Sequence, residues 1–173
     1  MPIKKASYII LRNILLVILI SIIIAIYLSL PTNKINQTPP EIKANISIHN
    51  LTAEDFDQIG TPDVVKEDFR KVNFSLYLNN FSAITHRDLS LPDLKEIMNA
   101  YDAERYWYGS STYSDNPGED AYYLYDIMFL SKGLDEEGIT SVFKNHQIKI
   151  TWTDEMGLEV NKLINLADII NFE

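Results

Sequence analysis

Two stretches of the chain alternate strictly between apolar and polar residues. In residues 72–78, Val72, Phe74, Leu76 and Leu78 alternate with Asn73, Ser75 and Tyr77. That is the period of a strand with one face buried. In residues 147–153, Ile148, Ile150 and Trp152 fall on one face. Asp154-Glu155-Met156-Gly157 follows, with Gly where a turn easily takes positive φ. Residues 158–166 then return as the partner strand, which predicts a C-terminal hairpin. Residues 121–131, AYYLYDIMFLS, are apolar or aromatic at nearly every position. Such a run predicts a central strand covered on both faces. Residues 45–51 form a first strand with Ile46 and Ile48 inward, and residues 105–113 an aromatic-rich one. Asn116-Pro117-Gly118 marks a turn within the loop 114–120.

Helical periods are short. Ser90-Leu91-Pro92-Asp93 resembles a capping-box start with Pro in the first turn. Leu94, Ile97, Met98 and Tyr101 then share one face. Residues 135–145 are a second helix with Ile139, Val142 and Phe143 toward the core, and residues 52–59 a third. The chain from residue 45 onward is therefore expected to be mainly β with short helical insertions. An α+β arrangement is the alternative.

A different pattern precedes this domain. Residues 14–30 contain no charge and are almost entirely Ile, Leu, Val and Ala. Counted from Tyr8, the segment spans 23 residues, roughly 35 Å of helix, enough for a hydrocarbon core of about 30 Å. Pro31 ends it, because proline lacks an N–H and restricts the residue before it. Residues 8–30 are thus expected to be a transmembrane signal-anchor. Lys4, Lys5 and Arg12 put residues 1–7 in the cytoplasm and the rest outside. A cleaved signal peptide is the competing reading. The apolar run is longer than a usual signal core, and Tyr27-Leu28-Ser29-Leu30-Pro31 offers no small-x-small cleavage site. Residues 31–44 are polar, with Pro39-Pro40, and are expected to be a linker to an extracytoplasmic domain, residues 45–173.

Charge sharpens the picture. After residue 30 there are 12 basic and 24 acidic residues, a formal charge of −12. Such a domain does not hold nucleic acid by bulk electrostatics. There is no cysteine, which removes disulfides, thiolate metal sites and a cysteine nucleophile. A cysteine-free ectodomain of this size fits a bacterium better than an animal or plant.

The stretch Phe74-Ser75-Leu76-Tyr77-Leu78-Asn79-Asn80-Phe81-Ser82 resembles the "strand, then Asn, then Ser" segment of bacterial extracytoplasmic immunoglobulin-like domains. The hairpin sequence ITWTDEMG, followed by Asn165-Leu166-Ala167-Asp168, is similar to small uncharacterised membrane-anchored proteins of Gram-positive bacteria. The resemblance covers about 40 residues and carries fold-type patterns, with no catalytic motif. It implies an Ig-like β-sandwich. The helical stretch 91–101 departs from a minimal sandwich.

Candidate chemistry is sparse. His86-Arg87-Asp88-Leu89 matches the opening of the protein-kinase catalytic loop, in which the Asp receives the substrate proton. Asp93 stands where the magnesium-binding Asn belongs, and no Gly-rich loop or Asp-Phe-Gly accompanies it. A polar turn is the expectation. His49, His86 and His146 are far apart and lack ligand spacing. Asp115, Asn116, Glu119 and Asp120 supply oxygens without EF-hand spacing. Asn-x-Ser/Thr triplets begin at Asn36, Asn45, Asn50, Asn73 and Asn80, as expected by coincidence in an Asn-rich chain. A carboxylate pair for a small envelope hydrolase would have to come from Asp102 with Glu104 or Asp126. No cofactor is expected.

The aromatic run is the suggestive feature. Tyr101, Tyr106, Trp107, Tyr108, Tyr113, Tyr122, Tyr123 and Tyr125 fall within 25 residues, on two expected neighbouring strands that would place several on one sheet face; Tyr106, Trp107, Tyr108, Tyr113 and Tyr123 are the candidate binding set. Exposed Tyr and Trp rings offer stacking surface for sugars or an anchor for a protein. The competing expectation is that these rings fill the core and its rim. The sequence thus points to a non-enzymatic, membrane-tethered binding or accessory domain contacting an envelope protein or glycan. A ligand-sensing ectodomain working with a membrane partner is the alternative.

Overall fold

The computed structural model describes residues 38–59, 64–81, 84–154 and 156–173, together with Leu16, Ile20 and Ser21. The chain divides into two units, Met1–Gln37 and Thr38–Glu173. In the first, Leu16, Ile20 and Ser21 are helical. The rest of the expected anchor, residues 8–30, lies outside the described residues. Among the described residues no helix is long and apolar enough to cross a membrane.

The second unit is mainly β. Its strands are β1 (Glu41–Asn50), β2 (Phe69–Asn79), β3 (Thr85–Ser90), β4 (Tyr106–Ser114), β5 (Ala121–Leu130), β6 (Gln147–Thr153), β7 (Glu159–Asn165) and β8 (Ile170–Phe172). Among the described residues three helices interrupt them: α1 (Ala53–Asp57), α2 (Leu94–Ala100) and α3 (Glu136–Phe143). Short 3-10 turns at Lys66–Asp68 and Leu166–Ile169 complete the unit. The strands form a five-stranded sheet in the order β4-β5-β2-β1-β8 and a three-stranded sheet in the order β3-β6-β7. Pairing is antiparallel throughout except between β1 and β8.

The alternation that marks β2 decides which face of the large sheet is buried. Val72, Phe74, Leu76 and Leu78 are all at most 2% exposed. They pack with Ile46 and Ile48 of β1 and Ile127 and Phe129 of β5. The same cluster takes Ile148, Ile150 and Trp152 from β6 and Ile97, Met98, Ile139, Val142 and Phe143 from α2 and α3. One core thus joins both sheets and two helices. Phe81 and Trp152 meet edge to face at 5.5 Å within it. On the opposite face of the large sheet, a smaller cluster of Leu51, Ile59, Phe69 and Met128 packs with Phe56 of α1.

Local chemistry starts each helix. Thr52 and Asp55 form a reciprocal capping box on α1. Asp93 accepts from Lys95 and Glu96 N–H to start α2, and Asp135 accepts from Gly138 N–H to start α3.

Several expectations need correction. β1 begins at Glu41, so the end of the stretch read as a linker is strand. Ile42 and Ala44 pair with Leu78 and Leu76 and pack on the core. The cap of α2 is Asp93 rather than Ser90, and Tyr101, expected on its core face, is exposed beyond the last turn. β5 is not covered on both faces along its length. Met128 is buried on the outer side, whereas Leu124 and Asp126 are half-buried and Tyr122 is exposed. α1 is too short to shield the whole face. The polar stretch holding His86-Arg87-Asp88 is strand β3, with a register shift between Thr85 and Asp88 and His86 at φ 57°.

Candidate binding surfaces on the two faces of the large sheet

Strand β4 positions the aromatic residues, and a bulge divides them. Tyr106 lies opposite Phe129, Tyr108 opposite Met128, and Gly109 opposite Ile127. Two residues, Trp107 and Tyr108, therefore occupy the space of one, and the alternation shifts phase. Trp107 and Tyr108 end on the outer face, where Trp107 meets Phe69 edge to face at 5.4 Å. Tyr106 and Tyr113 share the core-side face with Tyr123, Tyr113 stacking on Tyr123 at 5.9 Å. The expected single aromatic platform is thus two groups on opposite faces. Trp107, Tyr108 and Tyr113 are 42%, 51% and 68% exposed, while Tyr106 and Tyr123 are half-buried.

On the core side, a cleft of about 340 Å³ opens between β4 and the start of α2. Tyr106, Tyr125, Gly109 and Ser111 line one wall, and Pro92, Asp93 and Lys95 the other. Lys95 Nζ stands 5.2 Å from the centre of the Tyr106 ring, a cation–π contact. Burial, with Asp93 and Tyr113 nearby, raises the Tyr125 hydroxyl above its ordinary pKa. Gly109 keeps the wall open, because a Cβ there would lie 3.0 Å from Tyr106 Oη and 3.1 Å from Asp126 O. Tyr125 belongs to the aromatic run read from the sequence but not to the five residues expected to bind. Its signal was the period-2 relation to Tyr123 on β5.

The motif residues have structural partners. Arg87 holds the β4–β5 turn, donating to Asp115 and to the carbonyls of Glu119 (2.9 Å) and Asn116 (3.4 Å). Its guanidinium lies over the Phe81 ring at 5.4 Å. Asp115 also accepts from the Tyr123 hydroxyl, and burial followed by this bond raises the Tyr123 pKa well above its ordinary value. Asp102 and Asp126 belong to separate ion pairs. Asp102 accepts two bonds from Arg105, at 2.5 and 2.6 Å. Asp126 lies 3.1 Å from Lys71, which also reaches Asp55 at 2.7 Å. Among the described residues no group of three His, Asp or Glu could hold a metal ion. His49 Nδ1 is buried without a hydrogen-bond partner among the described residues.

No protein-family model matches the chain, and no curated protein and no solved structure resembles it significantly.

Proposed function

We propose that this protein is a non-enzymatic binding module of Ig-like architecture, held at the outer surface of a cell membrane by its N-terminal apolar segment. The order of the strands supports the architecture. The sheets read 4-5-2-1 and 3-6-7, the same partition as an immunoglobulin constant-type sandwich. β8 and the inserted helices are additions to that frame. The charge asymmetry of the N-terminal segment supports the orientation.

The observation that carries the binding role is strand β4. It is nine residues long, lies at the edge of the large sheet, has no charged residue and exposes Trp107, Tyr108 and Tyr113. Edge strands left free in solution are normally short or charged, which blocks unwanted pairing. An uncharged, aromatic edge fits a surface that meets a component of the cell envelope. The cleft between Tyr106, Tyr125 and Asp93 favours a second role, sensing of a small ligand relayed through a membrane partner.

Protease shaving of intact cells tests the location. Digestion of residues 38–173 before lysis is expected, and protection until lysis overturns the outside assignment. A photo-cross-linking residue at position 108 tests the surface in the same cells. It should give an adduct larger than the chain, with none from position 168 on the far 3-10 turn. Absence of an adduct at 108 removes β4 as the contact.

A further inference from the structure

The outer face of the large sheet carries a polar ladder that neither the core nor the β4 edge requires. The strand registers align Asn171, Ser47, Asn73, Asp126 and Ser110 in one row across all five strands. The adjacent row is Asn45, Ser75, Leu124 and Thr112. Four strand spacings make the first row about 19 Å long, and the rows lie roughly 6.6 Å apart. A groove of about 300 Å³ runs along them; its polar lining is Asn45, Asn73, Ser75, Ser110, Thr112 and Asp126, and Phe74, Leu124 and Tyr125 complete it.

Most of the hydrogen-bonding capacity of this groove is unused. Asn73, Ser75, Ser110 and Thr112 make no side-chain hydrogen bond with another described residue. Asn171 donates to Asn45 at 2.6 Å, which ties the two rows and leaves the Asn45 amide N–H groups free among the described residues. Rings flank the ladder on both sides. Tyr77 and Tyr122, opposite each other, are 40% and 36% exposed, and Trp107 and Tyr108 stand beyond the other side. Charge is held locally, since Lys71 bridges Asp55 and Asp126 while Lys43 pairs with Glu41 at 3.0 Å.

We infer that this face binds an uncharged polysaccharide lying across the strands. Sugar hydroxyls donate and accept, as do Asn amides and Ser and Thr hydroxyls. The C–H faces of sugar rings stack on flat aromatic side chains, and such rings stand at both sides of the ladder. A protein partner would want an apolar centre depleted of polar groups; here Leu124 is the lone apolar residue of the two rows. A polyanion would meet a chain whose residues 31–173 carry a formal charge of −12. The inference deepens the binding-module proposal, on which it rests for the source of its ligand.

The test uses the full chain in detergent, with chitin, cellulose, mannan and β-1,3-glucan as probes and heparin–agarose as the polyanion. Retention is expected on at least one neutral polymer and not on heparin. Asn73→Ala and Tyr77→Ala should each weaken that retention about tenfold, whereas Leu163→Ala, exposed on β7 of the small sheet, should change it by less than about twofold. Circular-dichroism melting should leave Asn73→Ala close to wild type, since its side chain holds nothing in the fold. Failure to bind any neutral polymer, preference for heparin, or loss on Leu163→Ala with none on Asn73→Ala each overturns the inference. Binding in detergent is independent of topology. Polysaccharide binding with protease protection would therefore reject the location, and proteolysis without binding would reject the ligand.

Discussion

Single side chains tie distant loops to the core of this domain. Arg105 is 7% exposed and donates to the carbonyls of Leu130 (2.8 Å) and Lys132 (3.2 Å) while Asp102 holds its other edge. Arg105→Ala removes the donor for two carbonyls, and half-exposed Asp102 regains water. A loss of about 2 kcal/mol in urea unfolding is expected. Arg105→Lys should restore only part of it, because an ammonium cannot match the two-pronged contact. Asp55 is a second tie, and a titratable one. The Lys71 ammonium, first, and the Thr52 bonds, despite burial, lower its pKa from 3.8 to about 2. A depressed folded-state pKa adds stability above the unfolded value and loses it as pH falls. The contribution, about 1–2 kcal/mol at neutral pH, should therefore fade between about pH 4 and pH 2. Urea midpoints of wild type and Asp55→Asn across that range check it: the gap should close toward pH 2, and a constant gap would rule out the ion pair as its cause.

At the scale of elements, backbone conformation matters as much as contacts. Gly157 turns the β6–β7 hairpin at φ +78°, and no described residue lies within 4 Å of where a Cβ would stand. Gly157→Ala should cost about 1 kcal/mol from backbone strain alone, read as a lower melting temperature with unchanged packing. Strand β6 was legible because Ile148, Ile150 and Trp152 alternate without a break. Strand β3 was not. Its one inward apolar residue is Leu89, and its bulge at His86 breaks the period. It is a strand because β6 offers a ladder to it, a long-range fact with no local signal. β8 is three residues that pair in parallel with Ile46–Ile48 of β1, too short a run to carry a pattern. The bulge at Trp107 and Tyr108 likewise hid the division of the aromatic set, since one extra residue flips every later side chain.

For the molecule as a whole, one core spans both sheets, so both should unfold together. The chain holds two tryptophans, and they report different places: Trp107 on the outer face of the large sheet and Trp152 inside, on the small sheet. Trp107→Phe leaves Trp152 as the reporter, and Trp152→Phe leaves Trp107. Within each variant, fluorescence and far-ultraviolet circular dichroism should give the same urea midpoint, as a two-state unit requires. Separate midpoints would mean that the sheets are independent units.

The sequence by itself determined the mainly β character, the inward faces of β2 and β6, the three short helices and the apolar N-terminal segment with its charge asymmetry. Each of these is a local or periodic property, set by side-chain chemistry within a few residues. Tertiary structure alone decided which strands distant in the chain neighbour each other and that Arg87 and Arg105 serve as ties. It also aligned Asn171, Ser47, Asn73, Asp126 and Ser110 into one row. Register between strands far apart in the chain produced that row, because pairing follows burial of the opposite face and leaves the polar side chains to line up in consequence.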